Sequence, residues 1–312
     1  MPSQDLLRRK ASLGSAEAWR LGGTGGQRHD GCGGVTGRTA RRRVLRISLP
    51  ADGRPGSRNG RADLLAAEEP LGIRIGGQAL TLTMRTPGDD LDLAAGFLVS
   101  EGIVGSAGDV EQIRICPGDC GHPDHDGNVA DVTLRPGRPG PAGPARSFLM
   151  TSACGVCGRS GIDDLIAAFR YDLTADAVTV TPEVLAGLPG ALRAAQQVFS
   201  RTGGLHAAGL FTPDGTLLAV REDVGRHNAV DKVVGWALLA DRLPATDLLL
   251  AVSGRVSFEI VQKAVAAGAA GIVAVSAPSS LAVDLARQYD LLLAGMVRGG
   301  RMNVYAGEQY LV

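Results

Sequence analysis

Lysine is almost missing from this chain. Among 32 basic residues in 312, lysine occurs only as Lys10, Lys232 and Lys263. The other basic residues are arginines, whose planar, permanently charged forks suit phosphate oxygens. Acidic residues also number 32, so the formal net charge is zero. That removes the electrostatic footprint expected of a nucleic-acid-binding protein. No apolar run is long enough to span a bilayer, so the chain reads as soluble, with no membrane partner. A secretory signal is also lacking, because the basic run Arg41, Arg42, Arg43 is not followed by an apolar core. The cysteines number five, an odd count. Without a signal, that argues against stable disulfides and fits a reducing cytoplasm. Aromatics are few, yet hydrophobic content is ample for a core. Glycine is plentiful at 44 residues, which implies close packing and many turns.

The chain divides into three stretches. Residues 1–40 lack periodicity and hold the glycine clusters 22–26 and 31–34, so they read as a disordered extension, with no role for Cys32. Residues 41–150 read as a β-rich portion. Alternation begins at Val44, a polar loop continues to about Arg61, and two alternating runs about Gly76-Gly77 predict a hairpin. Asp90 is positioned to cap a helix over 91–101, and Gly102 to end it. Residues 113–115 and 129–134 read as a strand pair, followed by a Pro/Gly loop over 136–144.

In residues 151–312 strand and helix alternate. Helices are predicted over 162–169, 191–199, 228–239, 258–267 and 281–289. A hairpin turns about Pro213-Asp214-Gly215, and buried strands are expected at 248–252, 272–275 and 291–294. Such a β-α-β succession argues a sheet covered by helices on both faces.

The most informative stretch is Thr151-Ser152-Ala153-Cys154-Gly155-Val156-Cys157-Gly158-Arg159-Ser160-Gly161. Two thiols lie among small residues beside one arginine, with no bulky side chain before Ile162. A loop of this kind exposes a thiolate for nucleophilic attack and sulfur transfer. Competing readings are a structural zinc half-site, a disulfide, or two small buried hydrophobes. A zinc site needs a second ligand pair. Cys116, Cys120, His122 and His125 could supply it, but their spacing and the intervening Pro and Asp read as a surface loop.

Two further clusters carry functional groups. Gly295-Met296-Val297-Arg298-Gly299-Gly300-Arg301 follows a strand. Open backbone amides and two guanidiniums at a strand's carboxyl end suit a phosphate-bearing ligand. The plain alternative is a hairpin with glycines at positive φ. Ser253-Gly254-Arg255 and residues 276–280 should open at the same edge. The run from Arg221 to Lys232 reads first as a polar turn capping the next helix through Asp223 or Asn228. Within it His227 is a candidate base or nucleotide contact, and His206 is similar. A zinc deaminase would need Glu two residues after such a histidine and Pro-Cys-x-x-Cys downstream. Here Ala208 stands two residues after His206 and the cysteine pair lies upstream, which argues against deaminase chemistry. A thioredoxin-like reading would start a helix at the cysteine pair, but Gly158 to Gly161 delay it.

Taken together, 151–161, 203–211, 221–239, 253–268 and 295–305 resemble the formate dehydrogenase accessory sulfurtransferase family (FdhD/NarQ type). Residues 69–71, 85–89 and 94–98 are similar to it as well, so the resemblance runs from about residue 41 to the end. It implies a three-layer, cytidine-deaminase-like α/β fold whose mixed sheet has helices on both faces, without the zinc chemistry. It also implies a cytoplasmic homodimer that takes persulfide sulfur from a cysteine desulfurase. The sulfur would pass to the bis(molybdopterin guanine dinucleotide) molybdenum cofactor of formate dehydrogenase, bound as substrate, with no metal of the chain's own. The family's persulfide cysteine falls on Cys154 and its second cysteine on Cys157. The family's cofactor-binding stretch falls on Met296, Val297, Arg298, Gly299, Gly300 and Arg301, and Ser253, Arg255 and His227 are expected to complete the pocket. The rival reading is a zinc-stabilised nucleotide-binding module without transfer chemistry.

Overall fold

The structure is a computed structural model and describes residues 37–49, 56–116, 127–137, 148–150, 171 and 178–312. Cys154, Cys157, Cys120, His122, His125, the expected 162–169 helix and residues 1–36 lie outside the described residues.

Strands β1 (Thr39–Ser48) and β2 (Ser57–Ala66) pair with each other, antiparallel, as a two-stranded ribbon. The first described strand therefore starts at Thr39, within the stretch expected to be an extension. In the expected loop through Arg61, residues 57–61 instead belong to the return strand. Cross-strand pairing forms β2, and its polar Ser57-Arg58-Asn59-Gly60-Arg61 start has no apolar alternation to announce it.

The expected hairpin forms from β3 (Glu69–Ile75) and β4 (Gln78–Arg85). Gly76 and Gly77 turn it at φ 55 and 81, a left-handed pair that only glycine adopts without strain. Strands β5 (Val110–Cys116), β6 (Val129–Leu134) and β7 (Phe148–Met150) complete a five-stranded sheet in the order β5-β6-β3-β4-β7. Its apolar face, with Leu71, Ile73, Val110 and Val132, packs on α1 (Asp90–Ser100). That helix is buried from Leu93 to Ser100, so it is a central element rather than a surface one. Asp89, at φ 56, takes the cap position expected of Asp90. Asp90 is instead drawn to Arg85, whose Nε and Nη2 each donate to it at 3.0 Å.

The second sheet has six strands in the order β13-β12-β11-β10-β8-β9. They are β8 (His206–Phe211), β9 (Leu217–Asp223), β10 (Leu249–Val252), β11 (Gly271–Ala274), β12 (Leu292–Arg298) and β13 (Arg301–Ala306). β10, β11 and β12 run parallel, and the outer pairings are antiparallel. Period-two alternation divides the two faces. Leu249, Ala251, Val273, Leu292 and Ala294 meet Leu185, Leu188 and Leu192 of α2 (Pro182–Ala195). Leu250, Val252, Ile272, Ala274 and Leu293 meet α4 (Arg226–Leu239), α5 (Phe258–Ala266) and α6 (Ser280–Gln288). Helices on both faces of a mixed sheet are as expected, together with the N-terminal β-rich portion. The helix expected over 191–199 starts earlier, at Pro182, because Thr181 caps it by accepting from Val184 N and Pro182 suits the first turn. A break at Gln196 then gives a separate short helix, α3 (Gln197–Thr202).

The two sheets are joined at a crossing of α1 and α4. A Cβ on Gly96 would lie 1.8 Å from Asp231 O, and one on Gly235 1.8 Å from Asp92 O, so the two backbones touch. Buried polar bonds seal the joint. Lys263 Nζ donates to both Asp231 oxygens at 2.7 and 2.8 Å, and Ser100 Oγ donates to Asp231 at 2.6 Å. Gln262 Nε2 donates to Ser100 O at 3.2 Å.

Candidate functional site at the carboxyl edge of the six-stranded sheet

β10, β11 and β12 are parallel, so the loops that follow them open at one edge. β8 runs the other way, so its first residue, His206, reaches the same edge. Close contacts link these loops in series. Met296 N donates to Ser276 O at 3.2 Å, Val256 N donates to Ala277 O at 3.2 Å, and Ser279 N donates to Val256 O at 2.9 Å. Ser257 Oγ lies 3.2 Å from His227 Nε2. A Cβ on Gly254 would lie 3.3 Å from His206 Nδ1 and 3.7 Å from Arg226 Cβ. Loops carrying Met296, Ser253, Arg255, His227 and His206 therefore share one rim.

His227 lies in the first turn of α4, and its Nε2 is 2.7 Å from Glu259 Oε2 in the first turn of α5. Both side chains are mostly buried, so this pair joins two helix N-termini at the edge. Burial pulls the His206 imidazole below its ordinary 6.5, and the neighbouring Arg226 guanidinium pulls it further. Arg226 contributes a buried Nε with no hydrogen-bond partner among the described residues. Two histidines and two arginines, Arg226 and Arg255, thus crowd one rim; of the carboxylates described beside them, Glu259 pairs with His227 and Asp223, across the ladder from His206, is neutralised by Lys232 beneath. That balance suits an anion.

Ser253 Oγ accepts from Ala207 N at 2.9 Å while Ser253 N donates to Ala207 O at 3.0 Å. The hydroxyl extends the β8–β10 ladder at the edge. Arg255 is exposed. In the stretch Met296, Val297, Arg298, Gly299, Gly300, Arg301 the structure forms a hairpin turn, not an extended loop: β12 continues to Arg298 and β13 begins at Arg301. Gly299 and Gly300 turn it at φ 58 and 71. Val297 is buried against α2, so only its backbone is available. Arg298 and Arg301 are exposed. The register slips between Gly295 and Arg298, and Met296 sits there at φ 56. A left-handed bulge on a non-glycine residue is typical of strands that re-aim toward a site.

Asp223 and Asn228, read as alternative caps for α4, hold the two sheets together instead. Gly225 takes the cap position. Asp223 is fully buried and accepts from Lys232 Nζ at 2.7 Å, Thr86 N at 3.0 Å and Gly225 N at 2.8 Å. Asn228 Nδ2 donates to Met84 O at 2.7 Å, and Thr83 Oγ1 donates to Asn228 Oδ1 at 3.3 Å. Thr83 pairs with Met150 of β7, four residues before Cys154. Met150 therefore lies on the strand neighbouring the one that Asn228 of α4 contacts. Sequence reasoning missed Arg226, Ser257 and Glu259. Glu259 at i+2 from a helix-capping serine is the one local signal for them. Among the described residues no His/Cys/Asp/Glu group is arranged to hold a metal ion, and no helix is long and apolar enough to cross a membrane.

Comparison with known proteins gives a consistent result. The chain is 57% identical over 273 residues to the sulfur carrier protein FdhD of Nocardia farcinica, covering 88% of this chain and 95% of that protein. It is 53% identical over 271 residues to the protein of the same name from Streptomyces coelicolor, covering 86% and 94%. With that from Mycobacterium tuberculosis it shares 50% over 250 residues, covering 78% and 90%. A crystal structure from Desulfotalea psychrophila, described as a formate dehydrogenase accessory protein, superposes with a TM-score of 0.67 at 22% identity. It covers 87% of this chain and 99% of its own, and supports the fold. The FdhD/NarQ family model matches residues 66–312, and the chain belongs to that family.

Proposed function

We propose that this chain is a sulfurtransferase that carries persulfide sulfur from a cysteine desulfurase to the bis(molybdopterin guanine dinucleotide) molybdenum cofactor needed by formate dehydrogenase. The observation that carries the reading is identity of 50–57% over most of the chain to proteins named sulfur carriers. The Cys154–Cys157 spacing and the cationic edge both support it. The working form is a cytoplasmic homodimer.

The chemistry balances with these two thiols. Cys154 thiolate attacks the outer sulfur of the donor's persulfide. One S–S bond forms on Cys154 as the donor's S–S bond breaks, and the donor leaves as a thiol. Delivery as sulfide needs two electrons. Cys157 thiolate supplies them by attacking Cys154 Sγ, forming a Cys154–Cys157 disulfide and releasing the outer sulfur as HS⁻. A cellular dithiol then reduces the disulfide. The edge holds the nucleotide end of the substrate. The Gly299 and Gly300 amides, with Arg298 and Arg301, face the phosphates, Ser253 and Arg255 flank them, and Glu259 orients His227. Met296 and Val297 contribute backbone.

Mass spectrometry after incubation with a cysteine desulfurase and cysteine tests the carrier step. The parent should gain one sulfur atom on Cys154. Cys154→Ala should gain none at that position and should leave formate dehydrogenase inactive in cells. Full dehydrogenase activity with Cys154→Ala, or stoichiometric zinc held by Cys154 and Cys157 in purified protein, would overturn the reading.

A further inference from the structure

The β1–β2 ribbon is unexplained by the candidate site. A lone two-stranded ribbon is marginal in water and gains its keep only when something else stabilises it. Its two strands carry Arg41, Arg42, Arg43, Arg46, Arg58 and Arg61 against one acidic residue, Asp63, which pairs with Arg61 at 3.1 Å. The whole chain is neutral, so this arm concentrates positive charge that the remainder offsets. The register sets Arg41, Arg43, Leu45 and Ile47 on one face, opposite Leu64, Ala62, Gly60 and Arg58. Leu45, Ile47 and Leu49 are 60%, 52% and 83% exposed, a row of aliphatics unusual on a free surface. The ribbon is rooted at the site's rim. Ala67 N donates to Arg38 O at 2.9 Å, and Arg38 Nη2 pairs with Asp89 at 2.5 Å. A Cβ on Gly204, two residues before His206, would lie 3.5 Å from Ala66 Cβ.

We infer that this ribbon is a docking arm for an acidic, partly apolar protein surface, that of the sulfur donor. The inference rests on the sulfur-carrier reading. The arm's chemistry favours a protein over the other anionic partners. It has no aromatic residue to stack on bases or to sit at a bilayer interface. Its aliphatic row between arginines matches the apolar core and charged rim of a protein interface. Its outer edges also offer backbone groups that pair with no other described strand, open to a partner strand.

Two variants test the arm, Arg41→Glu/Arg43→Glu/Arg58→Glu and Leu45→Ser/Ile47→Ser. All five side chains belong to the ribbon, so thermal melts should match the parent. Sulfur loading of Cys154 is followed by mass spectrometry with two donors, a cysteine desulfurase plus cysteine and inorganic polysulfide. Loss of steering and complementarity should slow enzymatic loading by about tenfold or more. Polysulfide loading should stay at the parent rate, and added NaCl should slow the parent's enzymatic loading. Variants that load from the desulfurase as fast as the parent overturn the arm while leaving the carrier role standing. So does a parent that loads from polysulfide but not from the desulfurase. Loss of binding to phosphatidylglycerol vesicles or to single-stranded RNA, with enzymatic loading retained, also overturns it and reassigns the arm. A parent that loads from neither donor sinks the carrier reading and this inference with it.

Discussion

His206 binds its proton less readily in the folded chain than in the unfolded one, and that gives the edge a measurable proton linkage. Its folded value lies below the ordinary 6.5 because of burial and the charge of Arg226. Between the two values the unfolded chain binds a proton that the folded one does not. Stability should therefore fall as pH drops through about 6.5, and His206→Asn should flatten that part of a urea-melt series. A phosphate set among these cations favours the protonated imidazole. GDP binding near pH 6 should then take up protons, read by calorimetry in buffers of different ionisation enthalpy. Arg301→Ala should weaken GDP binding by about tenfold, the worth of one charge-assisted hydrogen bond. Binding without proton uptake would place the phosphates away from His206. Unchanged affinity in Arg301→Ala would leave the 298–301 turn a plain hairpin.

At the scale of elements, the crossing of α1 and α4 is the most exacting contact. Gly96→Ala forces a methyl group into the Asp231 carbonyl, and helices cannot separate without opening the buried Asp231–Lys263 bond. We expect a loss of about 3 kcal/mol or more, seen as a lower urea midpoint, with Gly235→Ala behaving alike. The sequence does not announce this joint, because a glycine inside a helical run reads only as a weak helix former. Elements whose signal is local were legible: the Gly76-Gly77 hairpin, the apolar strands of the second sheet, and helix ends such as Gly102 and Gly268. Those that depend on a partner were not. β2 exists through pairing with β1, α2 tolerates Pro189 and two glycines because Leu185, Leu188 and Leu192 are buried on the sheet, and Glu259 meets His227 only after two helices converge. The edge loops were legible as glycine- and serine-rich strand ends. The burial of Val297 and the turn at Gly299-Gly300 depend on how far β12 continues, and no local residue reports that.

For the whole molecule, the described contacts begin at Gly37. A chain starting there retains the Arg38–Asp89 pair and the full ribbon register. Residues 1–36 are poor in the apolar surface that would offset ordering entropy. Their removal should leave the melting temperature and formate dehydrogenase maturation unchanged; a clear drop in either would show that they pack on the core. The backbone-to-backbone crossing at Gly96 and Gly235 bears on how such a molecule can move. Side-chain interfaces slide by changing rotamers, but a seam made of main chain has no rotamers to change. The two sheets must therefore travel as one rigid piece, with no hinge between them. The loops of the carboxyl edge hang from the second sheet, so they keep a fixed register against the first.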